Sequence, residues 1–152
     1  MQEIKGELIM ANTNISVDAV WDGGITGNGS LKADHLDTTI AIPTLFRGSG
    51  NGADPKDILV ASITSCYIAT LAFMLESRQL PVEKLTISSR TCISDDEFKI
   101  IHYPHVVLTA DTTEQIRSAH RAIETADEGC SIGKLLKRAG VKIDVQGNVS
   151  VK

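Results

Sequence analysis

A chain of 152 residues forms one domain of ordinary size or one protomer of an oligomer, and its 42% apolar content suffices for a core although only 4% is aromatic. The formal net charge of −4 argues against nucleic acid as a default partner, because no basic surplus exists to neutralise phosphates. Lys134, Lys137 and Arg138 cluster late in the chain, where they read as the basic end of a helix. Met1 to Met10 is charged and lacks the apolar stretch of a secretory signal, so a cytoplasmic location is expected. Residues 1–12 read as a poorly structured or peripheral segment of a single 1–152 domain. In a reducing compartment, three cysteines without C-x-x-C spacing are no disulfide framework; buried, metal-bound and redox-active roles stay open.

Asn14 to Trp21 alternates apolar and polar residues, the pattern of a half-buried strand. Asp22 to Gly29 is rich in turn residues, with Asn28-Gly29 as its hairpin signal. Its glycine spacing is in the wrong order for a dinucleotide fingerprint, and no helix pattern follows. Ser30 to Asp34 and Thr38 to Ile42 read as two further strands, completing an antiparallel meander. Pro43 to Ala53 is a glycine-bearing loop that includes Arg47; it reads equally as a ligand-approaching loop and as a linker.

Asp54 and Pro55 then open a helix, Asp54 as its cap and Pro55 in the first turn, where a missing N–H is harmless. From Ile58 to Leu75 the side chains are small, apolar or hydroxylic, with no charge on any face, so the helix is expected to be buried all round. The run is slightly short for a bilayer span and is interrupted by Ser62, Thr64, Ser65 and Thr70, so a core helix is expected and no membrane association. Cys66 sits at its centre. Val82 to Ser94 and Phe98 to Ala110 read as a long hairpin around the acidic turn Asp95-Asp96-Glu97, with Cys92 incidental near its end. Thr112 and Gln115 have capping-box spacing for a helix from Thr113 to about Asp127. Glu128-Gly129-Cys130-Ser131 interrupts it before a shorter helix that stops at Gly140, and Val141 to Val151 closes the chain as a strand. The expected order is β-β-β-α-β-β-α-α-β, an α+β fold with antiparallel strands.

Cys130 precedes a short helix whose free N–H groups favour a thiolate. Cys66, in apolar surroundings, should have a raised pKa unless a nearby cation reverses it; a small core residue is the plain alternative. His102 and His105 are three apart on a strand and point to opposite faces, so they cannot chelate one ion together. His120 could serve Cys66 or Cys130 as a base, as a cysteine hydrolase would need, but no motif supports it. A zinc site from both thiols and one histidine lacks paired ligands.

Gly52-Ala53-Asp54-Pro55-Lys56-Asp57-Ile58-Leu59 followed by Ala61 to Cys66, with Glu128-Gly129-Cys130-Ser131 later, resembles the OsmC/Ohr family of thiol-dependent hydroperoxide reductases. The meander ending in Ile42-Pro43 is similar too, so the resemblance covers Ile15 to Lys152. It implies an intertwined homodimer with long central helices under wrapping sheets. It also implies that Cys66 attacks the peroxide and becomes a sulfenic acid, that Cys130 condenses with it to a disulfide, and that a small or protein dithiol reduces the pair. No metal or organic cofactor is implied.

The chain departs from the family pattern at two places. Where members carry an arginine after a Gly-Gly pair, Gly23-Gly24 is followed by Ile25, and where they carry a glutamate after the helix-opening proline, Pro55 is followed by Lys56. Arg47 and Lys56 are the substitutes the sequence offers. The expected function is therefore reduction of organic hydroperoxides in oxidative-stress defence; the alternative is an OsmC-like protein whose thiols sense redox state or bind a small molecule.

Overall fold

The structure, a computed structural model, describes residues 2–4, 7–9 and 14–152. β1 (Gln2–Ile4) and β2 (Glu7–Ile9) pair antiparallel as a two-stranded sheet, and the rest of the N-terminal segment 1–12 lies outside the described residues. The chain divides into two compact units, one of Ala11–Ala61 and one of Met1–Met10 with Ser62–Lys152. One boundary of the division falls inside the longest helix.

The first unit is an antiparallel meander of β3 (Asp18–Asp22), β4 (Asn28–Ala33) and β5 (Leu36–Ala41). The β3–β4 turn is made by residues 23–27 and not by Asn28-Gly29, which already belong to β4. Gly23 supplies a left-handed φ of 82° there, and a Cβ on Gly27 would lie 2.0 Å from the Asp22 carbonyl oxygen. The half-buried strand expected from Asn14 is shorter than its pattern, and β3 is exposed along its whole length. It is the edge strand of three. After β5 the chain makes a 3-10 turn at Thr44–Phe46, with Arg47 left-handed at φ 66°. The glycine loop is ordered by backbone contacts, and Ala53 donates to Thr39 O at 2.8 Å. A Cβ on Gly48 would lie 1.8 Å from Ile42 O.

α1 spans Pro55–Ser77. Its start is doubly capped: the Lys56 N–H donates to Asp54 Oδ1 at 2.6 Å and the Asp54 N–H to Asp57 Oδ2 at 3.0 Å. By length and composition α1 could cross a membrane, with mean hydropathy 2.1 over its best window. Its burial is one-sided, which corrects the expectation of burial all round. Ile63, Tyr67, Thr70, Leu71, Met74 and Leu75 are buried, whereas Ala61, Ser62, Ser65, Ala69, Ala72 and Glu76 are exposed along the opposite stripe. A single chain supplies packing layers to only one side of this helix.

In the second unit, β6 (Val82–Ile93) and β7 (Phe98–Leu108) form the long antiparallel hairpin. The even-numbered residues of β7 from Ile100 to Leu108 are buried, and the odd ones face outward. α2 (Thr113–Gly129) begins where the Gln115 N–H donates to Thr112 Oγ1 at 3.3 Å, and α3 (Ser131–Arg138) follows after one residue. The last strand is split into β8 (Lys142–Val145) and β9 (Asn148–Val151). Both run parallel to β7, so the sheet is mixed where antiparallel strands alone were expected. The α2–α3 crossover returns the chain in the direction of β7, as a helical crossover allows and a hairpin does not. The split falls at Gln146-Gly147: the Gln146 N–H turns onto the His102 carbonyl at 2.8 Å, and Gly147 packs against Ile123 of α2.

A Cβ on Gly147 would lie 2.6 Å from Ile123 Cγ2 and 2.9 Å from its Cδ1. Gly147→Ala should therefore destabilise the fold by about 1–3 kcal/mol through overpacking. Denaturant titration measures this, and an unchanged midpoint would show that Ile123 moves aside without cost.

Candidate functional site

Cys66 lies mid-way along α1, half-buried, and Cys130 is the single residue between α2 and α3, 1% exposed. Cys130 has extended dihedrals (φ −75°, ψ 108°), which stop α2 and leave the first N–H groups of α3 without carbonyl partners. Its Sγ caps α3 by accepting the Gly133 N–H at 3.4 Å. A Cβ on Gly133 would stand 3.3 Å from that sulfur, tight enough that the sulfur would have to shift by a few tenths of an ångström. Facing this helix start from α1, Cys66 Sγ is 3.7 Å from Ser131 Oγ. The structure thus brings the two motif cysteines together, and adds three donors that sequence reasoning missed: the Ser131 hydroxyl and the backbone N–H groups of Ser131 and Ile132. The signal available was the Cys-Ser-Ile-Gly run opening a helix.

These donors decide which sulfur carries the charge. The Cys130 thiol donates to Cys66, and with the Ile132 and Ser131 groups it overcomes the burial that opposes ionisation, holding Cys66 at a pKa of about 5 against an ordinary 9.0. Cys130 is pushed up, first because its proton is held in the hydrogen bond to Cys66, then by burial, with the negative charges of Cys66 and Asp127 adding to it. This differs from the reading of residue positions alone, which favoured a thiolate at Cys130, whereas the family resemblance implied Cys66 as the attacking thiol. The helix start favours a thiolate, but on Cys66, which it faces, and no cation is among the groups that lower Cys66. Asp127 on α2 is paired with Lys137 on α3 at 2.8 Å, an ion pair that spans the break at Cys130.

The residue after Cys66 fixes its setting. Tyr67 is fully buried, donates its hydroxyl to the Ile123 carbonyl of α2 at 2.8 Å, and stacks on His102 of β7 with ring centroids 4.8 Å apart. His102 shares a 2.7 Å hydrogen bond between Nδ1 and Ser89 Oγ, and the Thr64 hydroxyl of α1 donates to the same oxygen at 2.8 Å. Burial holds the His102 pKa below its ordinary value. His102 is therefore a neutral core histidine, and His105, on the other face, bonds Ser150 at 2.7 Å. His120 is exposed on α2. Cys92 is exposed on β6 opposite Lys99. Among the described residues no group of three or more His, Cys, Asp or Glu is placed to hold a metal.

Arg47 and Lys56 belong to the Ala11–Ala61 unit, whereas both thiols belong to the other. Arg47 is exposed beyond the 3-10 turn, and Lys56 Nζ lies 5.8 Å above the Phe46 ring. Ile25 is exposed in the β3–β4 turn. The same unit contains an apolar pocket of about 540 Å³ lined by residues that include Trp21, Leu31, Ile40, Phe46 and Ile58, with Lys56 at its wall.

An α+β chain that sets an ionised thiol on a central helix against a second thiol at a helix break is a paired-thiol protein. The chain belongs to the OsmC/Ohr family: the family model described as OsmC-like protein matches residues 48–146. Over 149 residues it is 31% identical to a Bacillus subtilis (strain 168) protein described as uncharacterized protein YmaD, covering 94% of this chain and 97% of the relative. An OsmC-like protein from Mycoplasma pneumoniae shares the fold with TM-score 0.72 at 17% identity, over 92% of this chain and 99% of that one. A putative organic hydroperoxide resistance protein from Vibrio cholerae does so with TM-score 0.65 at 16% identity, over 95% and 96%.

Alkylation of Cys66 by iodoacetamide should rise with pH to half its maximum near pH 5, where an ordinary thiol does so near 9.0. Between those values the unfolded chain holds a proton that the folded chain does not. On this account stability should rise with pH across that window and be lost as pH falls through 5. Cys130→Ala should move the alkylation midpoint upward; a midpoint near 9 in the native protein would contradict the geometry.

Proposed function

We propose that the protein is a cytoplasmic, two-cysteine peroxidase that reduces organic hydroperoxides in oxidative-stress defence. The observation that carries this reading is that Cys66 of α1 faces the Cys130–Ser131 helix start, its Sγ 3.7 Å from Ser131 Oγ, in a setting that lowers its pKa to about 5. Cys66 attacks the O–O bond and becomes a sulfenic acid; Cys130 displaces the hydroxyl to give a Cys66–Cys130 disulfide; an external dithiol, small or protein-bound, restores both thiols. Sulfur carries both electrons, so the scheme uses no cofactor. Family membership and relatives described as organic hydroperoxide resistance proteins support the substrate class.

The working form is proposed to be a homodimer in which a second copy covers the exposed stripe of α1 from Ala61 to Glu76. Small residues there allow two helices to approach closely. Sedimentation should show a dimer at micromolar concentration, and a folded monomer would remove this part of the proposal.

A second reading is a non-peroxidatic protein that senses redox state or binds a small molecule, favoured by the apolar pocket of the Ala11–Ala61 unit and by Ile25 in the hairpin turn. Turnover separates the two. Hydroperoxide should be consumed catalytically with a dithiol present, and peptide mapping after mild oxidation should recover a 66–130 bridge without Cys92. Cys66→Ser should abolish consumption. Cys130→Ser should react once per site, stall as sulfenic acid and over-oxidise with excess peroxide. Wild-type consumption by Cys66→Ser would end the peroxidase reading.

A further inference from the structure

Reduction of an alkyl hydroperoxide has a proton requirement that attack by a thiolate does not meet. When Cys66 sulfur bonds the terminal oxygen and the O–O bond breaks, the electron pair leaves on an alkoxide, a strong base that must be protonated. The groups that surround Cys66 are the Cys130 thiol, the Ser131 hydroxyl and the backbone N–H groups of Ser131 and Ile132. Backbone amides orient and polarise but do not transfer their protons, and a serine hydroxyl is a far weaker acid than a thiol. Cys130 is the one group there that can release a proton, and its sulfur is held at the start of α3 by the Gly133 N–H at 3.4 Å, where a negative charge is favoured.

We propose that Cys130 is the proton donor to the leaving alkoxide, and that the loss of this proton is what turns it into the resolving nucleophile. The inference rests on the peroxidase reading above and deepens it. The balance closes. Cys66 thiolate and ROOH give Cys66–SOH and RO⁻; the Cys130 S–H bond breaks to give ROH and a Cys130 thiolate. That thiolate attacks the sulfenic sulfur, forming the disulfide and releasing hydroxide, which combines with the proton Cys66 gave to solvent when it ionised. Timing is built into the electrostatics. The charge on Cys66 holds the proton on Cys130 while the site waits, and formation of the S–O bond removes that charge as the alkoxide appears. Asp127 of α2, paired with Lys137 of α3, is the other charge bearing on Cys130, and it stays in place throughout.

The test varies the leaving oxygen. Sulfenic-acid formation is followed in single turnovers at pH 7 with tert-butyl hydroperoxide and with a peracid, whose carboxylate leaves without needing a proton. Rates are expressed per Cys66 thiolate, counted by iodoacetamide. Cys130→Ala should lose ~10²-fold with the alkyl hydroperoxide relative to its own peracid rate, the scale of general-acid catalysis, because the altered basicity of Cys66 acts on both oxidants and cancels in that ratio; sulfenic acid formed with the peracid certifies the variant's fold. The wild type should show a solvent deuterium isotope effect with the alkyl hydroperoxide and none with the peracid. Retention of the alkyl rate in Cys130→Ala overturns the proposal, as does the absence of the wild-type isotope effect. A leaving-group-selective loss in Ser131→Ala in place of Cys130→Ala moves the role to the serine and overturns it too. A wild-type Cys66 that neither oxidant oxidises removes the peroxidase reading itself.

Discussion

The site depends on a helix that stops for one residue. Were Cys130 helical, α2 would run into α3 and the N–H groups of Ser131, Ile132 and Gly133 would be used by carbonyls of the preceding turn. Its extended dihedrals release them, one to its own sulfur and two toward Cys66. Two features hold the break open. Gly133 leaves room for the capping sulfur, and the Asp127–Lys137 ion pair ties the end of α2 to the end of α3. The pair is partly exposed and worth little as stability by itself. Its consequence is geometric, because it spans the residue whose conformation organises the donors.

The opposite wall of the site is fixed by α1, whose rotation is set by Tyr67. A tyrosine hydroxyl bonded to a helix carbonyl and a ring stacked on a buried histidine leave α1 one azimuth, and Cys66 is the next residue back. Burial keeps the phenol protonated, with Asp127 and Cys130 reinforcing it, so the hydroxyl remains a donor. The Thr64–Ser89–His102 chain adds a second polar tie between α1 and the sheet. The neutral histidine, a residue type that invites a catalytic reading, therefore acts as a packing partner that aims the thiol from behind.

How much of this was legible follows from periodicity and its limits. The alternation of β6 and β7, the capping box at Thr112 and the stop at Gly140 are local signals, and each corresponds to an element of the fold. The parallel pairing of β8 and β9 with β7 is a property of the crossover and leaves no mark in strand composition. The split at Gln146-Gly147 arises from a contact with Ile123, distant in sequence, so the pattern Val141 to Val151 reads as one strand. The Asn-Gly pair pointed one turn too late because close approach inside a strand requires glycine as surely as a turn does: a Cβ on Gly29 would lie 2.4 Å from Val20 O. Both thiols were found by their motifs. Residue position alone favoured a thiolate at Cys130 and only the resemblance pointed to Cys66, because a helix N-terminus acts on whatever it faces, and the facing sulfur comes from another helix.

Magnitudes bear on what the low pKa accomplishes. Lowering a thiol from 9.0 to about 5 raises its thiolate fraction at pH 7 from about 1% to nearly all, a gain of ~10². The same shift weakens the sulfur as a nucleophile: with a Brønsted coefficient of about 0.4–0.5, four units cost ~40- to 100-fold. The two nearly cancel. A site that only stabilised its thiolate would therefore react with a peroxide scarcely faster than an ordinary cysteine at neutral pH. An advantage in rate has to come from donors that act on the departing oxygen more than on the resting sulfur, since binding ground state and transition state equally accelerates nothing. A point cation beside the thiolate would serve mainly the resting state. Donors that include a transferable proton can follow the charge as it moves from sulfur to oxygen, and the pairing of Cys66 with Cys130 at the α3 start supplies one.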